Sequence, residues 1–417
     1  MLSSLPKSVA QYLVVTINYW AFTLTDGALR MLVVLYFHGL GYSPMEVATL
    51  FLLYEFFGVV TNLVGGWLAA RVGLNVTMHI GLALQIVALA MLSVSTDLLS
   101  VAYVMLAQAL SGIAKDLNKM SAKSSIKQLV PENQQGRLYR WVALLTGSKN
   151  TLKGVGFFVG ALLMSSVGFS AATLLMAAVL LVVLLWSFYR LDGGAGRVDY
   201  KPKFSQMFSP SESVNHLSAA RFFLFGARDV WFVVALPVFL QAQLGWSHTQ
   251  VGVLLAVWII VYGIVQAKAP AFTAKISLKR LVSKASARPH KNQNPTGATA
   301  LEWALVLIAL PLLIAFGCWM KWPAQWVIVA GLMAFAVVFA INSAVHSYLI
   351  VAYAKADGAS LDVGFYYMAN AAGRLIGTVL SGAVYQFWGL EACLLVSSLM
   401  VALAALCSLR LPEVKAR

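Results

Sequence analysis

Twelve apolar stretches of 20 to 29 residues dominate the 417-residue sequence and constrain its fold more than any other feature. About 20 apolar residues form an α-helix long enough to cross the hydrocarbon layer of a membrane. With 60% hydrophobic and 11% charged residues, the chain could not hide this surface in a water-soluble core. The sequence therefore predicts an all-α polytopic membrane protein with twelve transmembrane helices. The approximate ranges are 10–37, 44–69, 75–95, 98–122, 141–165, 169–190, 216–242, 248–268, 300–319, 323–351, 360–387 and 389–410.

The positions of Lys and Arg predict the orientation of these stretches. Of the 30 basic residues, eight lie inside the stretches; Arg190, Lys268 and Arg410 are the last residues of their stretches and are counted with the adjoining cytoplasmic segments. With the N-terminus placed in the cytoplasm, 21 of the other 22 fall on the cytoplasmic side, and only Lys321 falls outside. Such a bias is typical of membrane proteins, which keep basic loops in the cytoplasm. We therefore expect both termini to be cytoplasmic.

Two longer polar segments divide the chain. Residues 191–215 predict a cytoplasmic linker between an N-terminal six-helix bundle, residues 1–190, and a C-terminal six-helix bundle, residues 216–417. Residues 270–299 are basic and rich in Ser, Pro and Asn, which favours a cytoplasmic surface loop attracted to anionic lipid. A binding module is the alternative for this loop. Membrane topology explains most of the net charge of +15, so no nucleic-acid partner is expected.

Short matches between the two halves indicate an internal repeat. Leu40-Gly-Tyr-Ser43 recurs as Leu244-Gly-Trp-Ser247. Further aligned pairs are Asp26 with Asp229, Lys153 with Arg374, Gly156 with Gly377 and Gly168 with Gly389. These matches predict two parallel six-helix repeats, the arrangement of major facilitator transporters, which bind substrate near the membrane midplane between the halves.

Twelve charged side chains are predicted to lie within the membrane, away from the ends of the stretches. Each costs about 2.5–3.5 kcal/mol at a helix centre, so they must line a cavity or pair with one another. The basic ones are Arg30, Lys115, Lys119, Lys149, Lys153, Arg221, Arg228 and Arg374, and the acidic ones are Asp26, Glu55, Asp116 and Asp229. The excess of bases predicts a small substrate with more than one negative charge; neutral lysines are the alternative.

Spacing assigns roles to these residues. Lys115, Lys119, Lys123 and Lys127 follow a four-residue stride and form one stripe on a helix, whose lower two members we expect to snorkel to the interface. Asp26 and Arg30 share a helix face and have the spacing of an ion pair. The predicted substrate-binding residues are Arg30, Lys115, Lys119, Lys149, Lys153, Arg228 and Arg374. The predicted charge-pairing or proton-coupling residues are Asp26, Glu55, Asp116 and Asp229, with Glu55 the candidate proton carrier.

Three further features of the sequence bear on a binding or catalytic role. The glycines Gly154, Gly156 and Gly160 favour close packing of helices over a phosphate-binding loop. His346 is either a proton site or a core histidine with satisfied hydrogen bonds. Cysteines are few and far apart, and no catalytic residue, metal ligand or cofactor is predicted.

Four strings in the sequence resemble the ArsJ family of bacterial major facilitator permeases. They are NYWAFTLTDGALR at 18–30, LSGIAKDLNKMSAK at 110–123, GSKNTLKG at 147–154 and FGARDVWF at 225–232. The resemblance covers nearly the whole chain and is least in residues 270–299. It implies arsenate resistance by efflux of 1-arseno-3-phosphoglycerate across the inner membrane. A glyceraldehyde-3-phosphate dehydrogenase, the implied functional partner, makes this compound from arsenate. The site residues above come from charge placement, not from the resemblance.

Other functions are weighed against this expectation. An organophosphate (sugar phosphate) importer or an anion exchanger on the same fold would use the same basic cavity. A membrane enzyme would need a nucleophile–base pair or a metal cluster, and the sequence pattern shows neither. A cation or drug exporter would favour an acidic cavity. We expect the chain to be a monomer that contacts membrane lipid and a small polyanion.

Overall fold

A computed structural model describes residues 7–42, 49–130, 134–191, 211–246, 248–275, 294–355 and 359–413. Within these ranges the chain forms helices and no β-strand. Most of the predicted linker 191–215 and most of the predicted loop 270–299 lie outside the described residues. Their interpretation therefore stays a prediction.

Eleven α-helices follow one another in the described residues, and a short 3₁₀ turn, Thr96–Leu98, precedes the fourth. They are α1 Lys7–Gly39, α2 Leu52–Val72, α3 Leu74–Leu92, α4 Val101–Leu129, α5 Gln135–Arg190, α6 Glu212–Phe232, α7 Ala235–Ala242, α8 His248–Lys275, α9 Gly297–Trp319, α10 Ala324–Tyr353 and α11 Ala359–Ser408. Serine side chains cap two of them at the start: Ser100 Oγ accepts from the Tyr103 N–H, and Ser211 Oγ from the Val214 N–H.

Nine helical segments of the described chain are long and apolar enough to cross a membrane, with α6 and α7 counted together. Two of them, α5 with 56 residues and α11 with 50, would as single helices span about 80 Å, far more than a hydrocarbon layer of about 30 Å. Each contains a break that makes it two helices. The helix α4 has the length of a crossing but is too charged to count among the nine. A helical, polytopic membrane protein is thus confirmed, and twelve crossings stay a prediction.

The breaks in α5 and α11 show that the internal repeat extends to the backbone conformation. They fall at Gly168 and Gly389, the pair that the sequence aligns, and both residues have φ of 78°. A positive φ is open to glycine at little cost, because glycine has no Cβ. The aligned glycines 41 and 245 also have positive φ, 93° and 67°. The repeat therefore fixes where the chain turns.

The chain separates into two compact units. Unit 1 consists of Met1–Pro131, Ser148–Ser209 and Ala354–Met368, and in it α4 packs against α1, α2 and α3. Unit 2 consists of Glu132–Gly147, Pro210–Tyr353 and Ala369–Arg417, and in it α10 packs against α6, α8 and α9. Each unit has an apolar core of its own. The bundle boundaries at 190 and 216 stay a prediction.

A break between α6 and α7 is a feature that hydropathy did not predict, since the apolar stretch 216–242 is continuous. Two backbone N–H groups freed by the break, those of Val234 and Ala235, donate to Ser381 Oγ on α11 at 3.3 and 3.0 Å. In a membrane such groups need a partner from the protein, and Ser381 supplies it. The break comes one turn after Asp229.

Close packing of α11 against α6 rests on Gly377. A Cβ built there would lie 2.6 Å from the Gly226 carbonyl oxygen and 3.1 Å from Asp229 Cβ. We expect Gly377→Leu to destabilise the folded protein by about 1–3 kcal/mol or more through overpacking. Thermal unfolding of the purified protein in detergent measures this. Gly382→Leu on the same helix is the control, because a Cβ at Gly382 meets nothing within 4 Å. Equal melting temperatures for the two variants would contradict this packing.

Candidate functional site

A buried carboxylate on α4 collects two of the predicted cations of unit 1. Asp116 Oδ1 lies 2.5 Å from Lys119 Nζ, and Asp116 Oδ2 lies 3.7 Å from Lys115 Nζ. The Asp116 side chain is 2% exposed. One buried carboxylate therefore faces two ammonium groups, and this part of the unit keeps a positive charge.

Tyr54 on α2 links this pair to α1. Its hydroxyl donates to Asp26 Oδ1 at 2.6 Å. Its ring centre lies 3.9 Å from Lys115 Nζ and 4.9 Å from the guanidinium carbon of Arg30, which are cation–π distances. Tyr54 is buried and holds side chains of three helices together.

Arg30 pairs with Glu55 rather than with Asp26. Arg30 Nη2 lies 3.0 Å from Glu55 Oε1, and both side chains are partly exposed. The i,i+4 spacing of Asp26 and Arg30 would allow an ion pair within α1. Because α2 packs beside α1, Glu55 of α2 is the partner of Arg30 instead. Asp26 is instead held by Tyr54.

Two predicted cations on α5, Lys149 and Lys153, are partly buried and make no hydrogen bond or ion pair with the part of the chain that the structure describes. Lys153 lies in electrostatic range of Arg30, Asp26 and Lys149. Lys149 lies in electrostatic range of Lys115 and Lys119, and also of Asp26 and Asp116. The predicted site residues in unit 1 thus comprise five bases and three acids.

The prediction that Lys123 snorkels to the membrane interface is wrong. Its exposed fraction is 2%, and its Nζ lies 5.0 Å from the ring centre of Tyr367 in the same unit. The Lys119 ammonium is 4.7 Å from that ring. An aromatic side chain that is distant in sequence therefore covers Lys123. The next member of the stripe, Lys127, is partly buried.

Unit 2 holds the remaining predicted site residues in a second network. Asp229 on α6 is fully buried, and its Oδ2 accepts from Arg374 Nε on α11 at 3.0 Å. Its Oδ1 accepts from Arg228 Nε at 2.5 Å. The Arg228 guanidinium also lies 4.9 Å from the Phe225 ring centre. One carboxylate again serves two bases.

The two networks differ at positions that the repeat makes equivalent. In unit 2 the aligned pair Asp229 and Arg374 forms an ion pair. In unit 1 its counterpart is Asp26 and Lys153, but Asp26 accepts from Tyr54 and Lys153 makes no ion pair with any described residue. The repeat is thus preserved in the residue types at these two positions but not in their pairing.

Comparison with known proteins identifies the family to which this chain belongs. The family model described as Major Facilitator Superfamily matches residues 12–287, about two thirds of the chain. The chain belongs to the major facilitator superfamily. No curated protein matches it as a relative. As a member of a transporter superfamily, this chain is a multi-pass membrane transporter.

Solved structures of this superfamily share the fold at low sequence identity. The human organic anion transporter MFSD10 is 16% identical, with a TM-score of 0.75 over 97% of this chain and 100% of that one. The proton:xylose symporter XylE is 13% identical, with a TM-score of 0.73 over 98% of each chain. A bacterial homologue of the iron transporter ferroportin, also 13% identical, has a TM-score of 0.72 over 98% and 99%.

The predicted site residues omit two side chains that make several polar contacts, Tyr54 in unit 1 and Arg221 in unit 2. Tyr54 carries no charge, so charge placement could not include it; as an aromatic residue in an apolar stretch it could line a cavity or simply pack. Arg221 was counted among the bases but left out of the substrate-binding set. It is buried in unit 2, where it bonds to neutral oxygens of Ser343 and Asn370.

Removing the Tyr54 hydroxyl tests the first of these. We expect Tyr54→Phe to cost about 1.5–3 kcal/mol of stability, because it leaves the buried Asp26 carboxylate without its donor. Tyr103→Phe is the matched control, since Tyr103 donates to the neutral carbonyl of Met91 at 3.0 Å. Its loss should be about 0.5–1.5 kcal/mol. Thermal unfolding of both variants measures the difference, and a Tyr54 loss no larger than the control's would contradict the central place of Tyr54.

Proposed function

We propose that this major facilitator transporter exports 1-arseno-3-phosphoglycerate from the bacterial cytoplasm and thereby confers arsenate resistance. The observation that carries the proposal is the pair Lys149 and Lys153, two lysines without an acidic partner in the described chain. They bring the predicted site residues of unit 1 to five bases against three acids. Cations left without a counter-ion in a membrane protein are costly, and a polyanionic substrate supplies the missing charge.

The substrate's chemistry suits these side chains. It carries an arsenate group at one end and a phosphate group at the other, hence several negative charges. A lysine ammonium is a compact point charge with three donors, and its hydrogen bonds to an oxyanion are stronger than those between neutral groups. The structure supports a polyanion as the class of substrate. The particular compound comes from the resemblance of the strings at 18–30, 110–123 and 147–154 to the ArsJ family.

The membrane potential favours the outward direction. Moving one charge through 100 mV is worth about 2.3 kcal/mol, so a substrate of net charge −3 gains about 7 kcal/mol on leaving an inside-negative cell. Export by alternating access can therefore run as uniport. If export is instead coupled to protons, Glu55 is our candidate carrier, because it is the most exposed of the acids paired in unit 1.

The location, oligomeric state and partner of the transporter follow from the same proposal. We propose an inner-membrane monomer with both termini in the cytoplasm, from the distribution of 21 basic residues to one. The dehydrogenase that makes the substrate is its functional partner. We propose no nucleic-acid partner and no cofactor.

An organophosphate importer or anion exchanger is the second candidate. The same unpaired lysines favour it, because a sugar phosphate is also an organic oxyanion. The structural likeness to MFSD10, described as an organic anion transporter, agrees with either candidate, although at 16% identity it shows the fold alone.

Arsenate tolerance of cells separates the two candidates. We expect the chain to raise tolerance in a sensitive bacterial host only when the dehydrogenase is co-expressed, because the carried compound must first be made. Inactivated dehydrogenase is the control. Tolerance that is unchanged with both proteins present would contradict arsenate export and favour the organophosphate candidate, which uptake of labelled sugar phosphate would then test.

A further inference from the structure

A second polar cluster lies in unit 2, apart from the Asp229 network. It is carried by α10, on which every residue from 339 to 351 is buried. Four polar side chains interrupt this apolar segment, at most 1% exposed each, and they are Asn342, Ser343, His346 and Ser347. Their spacing of one, four and five residues places them on one broad face of the helix.

Arg221 on α6 brings a positive charge to this cluster. Its Nη1 donates to Ser343 Oγ at 3.0 Å, and its Nε donates to Asn370 Oδ1 at 2.9 Å. His346 lies in electrostatic range of Arg221. Ser343 is well satisfied, since Gln266 and Tyr262 also bond to its hydroxyl at 3.1 and 3.0 Å. The cluster is thus anchored at one point by several hydrogen bonds.

The other three polar side chains on α10 are not satisfied. Asn342 Nδ2 and Oδ1, His346 Nδ1 and Ser347 Oγ are buried and have no hydrogen-bond partner among the residues that the structure describes. The two interpretations of His346, a proton site or a core histidine with satisfied hydrogen bonds, both stay open, since only its Nδ1 is without a partner among those residues. Buried polar groups are nearly always paired, so these four atoms on one helix face beside an arginine offer a polar molecule several hydrogen bonds at one place.

We propose that this cluster binds a hydroxylated organic oxyanion and recognises its hydroxyl group. An oxyanion alone offers only acceptors, whereas a hydroxyl both donates and accepts. Asn342 can do both at once, and Ser347 and His346 add a second donor or acceptor each. Arg221 adds attraction for the adjacent oxyanion. The proposal rests on the proposed function, in which the carried compound is a glycerate derivative. The hydrogen bonds of Asn342, His346 and Ser347 to its hydroxyl group would distinguish such a compound from inorganic phosphate or arsenate.

Binding of three stable probes to the purified full-length protein tests this. The probes are 3-phosphoglycerate, its analogue without the 2-hydroxyl group, and inorganic phosphate. We expect the wild type to prefer 3-phosphoglycerate over the deoxy analogue by about tenfold or more, as sites built around a substrate hydroxyl do. Asn342→Leu should bring this ratio close to one and leave phosphate binding unchanged. Ser347→Ala, a smaller change, should lower the ratio as well and serves if the leucine variant does not fold.

Ser408→Ala is the control, because this buried serine in the same unit donates to the Ala404 carbonyl oxygen of its own helix and its hydroxyl has no other partner among the described residues. It should keep the wild-type ratio. Variants of Asn342 and Ser347 that also keep it would overturn the proposal, and the cluster would then hold water alone. A wild type that binds none of the three probes would instead overturn the proposed function, and this inference with it.

Discussion

Lys153→Gln is expected to abolish most transport while leaving the folded protein as stable as before or more so. Lys153 is a partly buried lysine that makes no ion pair with the described residues, so the substitution removes no direct charge pair from the folded protein. If its partner is the substrate, the loss of a close charge pair costs about 2–5 kcal/mol. That corresponds to a fall of about 30-fold or more in transport at low substrate concentration.

Transport into everted vesicles and thermal unfolding of the purified variant together measure this. Lys149→Gln should behave in the same way, because Lys149 likewise makes no ion pair with the described residues. Lys268→Gln is the matched control: Lys268 is an exposed lysine on α8 and makes no described contact. Lys115→Gln should also impair transport, but with loss of stability, since Lys115 contacts both Asp116 and Tyr54. Full transport by the Lys149 and Lys153 variants would refute a lysine anion site.

Asp229→Asn is expected to be the most destabilising of the substitutions considered. The Asp229 carboxylate is fully buried and serves Arg228 and Arg374, so its neutralisation leaves two guanidinium groups without their counter-ion. Breaking a buried pair by removing one partner costs about 3–5 kcal/mol. A chain of marginal stability would lose much of its folded population.

The yield and thermal unfolding of detergent-purified protein measure this loss. Glu391→Gln is the control, an acid-to-amide change at an exposed position of the same unit. Adding Arg228→Leu to Asp229→Asn should recover part of the stability, because it removes the more buried of the two arginines. If Asp229→Asn melts like the wild type, the arginines do not depend on this carboxylate, and their network is not structural.

Much of the fold could be predicted from the sequence because the bilayer makes hydropathy informative. The helix bounds agree with the apolar stretches to within several residues, and the aligned Gly168 and Gly389 lie where α5 and α11 break. The break between α6 and α7 could not be predicted, since it depends on the Ser381 hydroxyl of α11, about 150 residues later, and not on local apolarity.

The site was predictable in composition but not in pairing. Charge placement identified the acids and bases of the site. The spacing within α1 predicted an ion pair between Asp26 and Arg30. In the folded protein Arg30 instead pairs with Glu55, and Asp26 accepts a hydrogen bond from Tyr54. Periodicity placed Lys123 on a stripe without showing that Tyr367 covers it. Such partners come from distant parts of the chain, so the residues that lack one, Lys149 and Lys153, are visible only in the structure.

Direct transport of the arseno-ester tests the central claim most directly. Everted vesicles that contain the protein are supplied outside with glyceraldehyde 3-phosphate, NAD, arsenate and the dehydrogenase, so that the unstable ester is made continuously at the cytoplasmic face. We expect arsenic and 3-phosphoglycerate to accumulate inside in equal amounts, only with the complete mixture, and not in vesicles with Lys153→Gln. Failure of arsenic to enter, or equal entry of arsenate without the dehydrogenase, would contradict the export of an organic arsenate ester by this transporter.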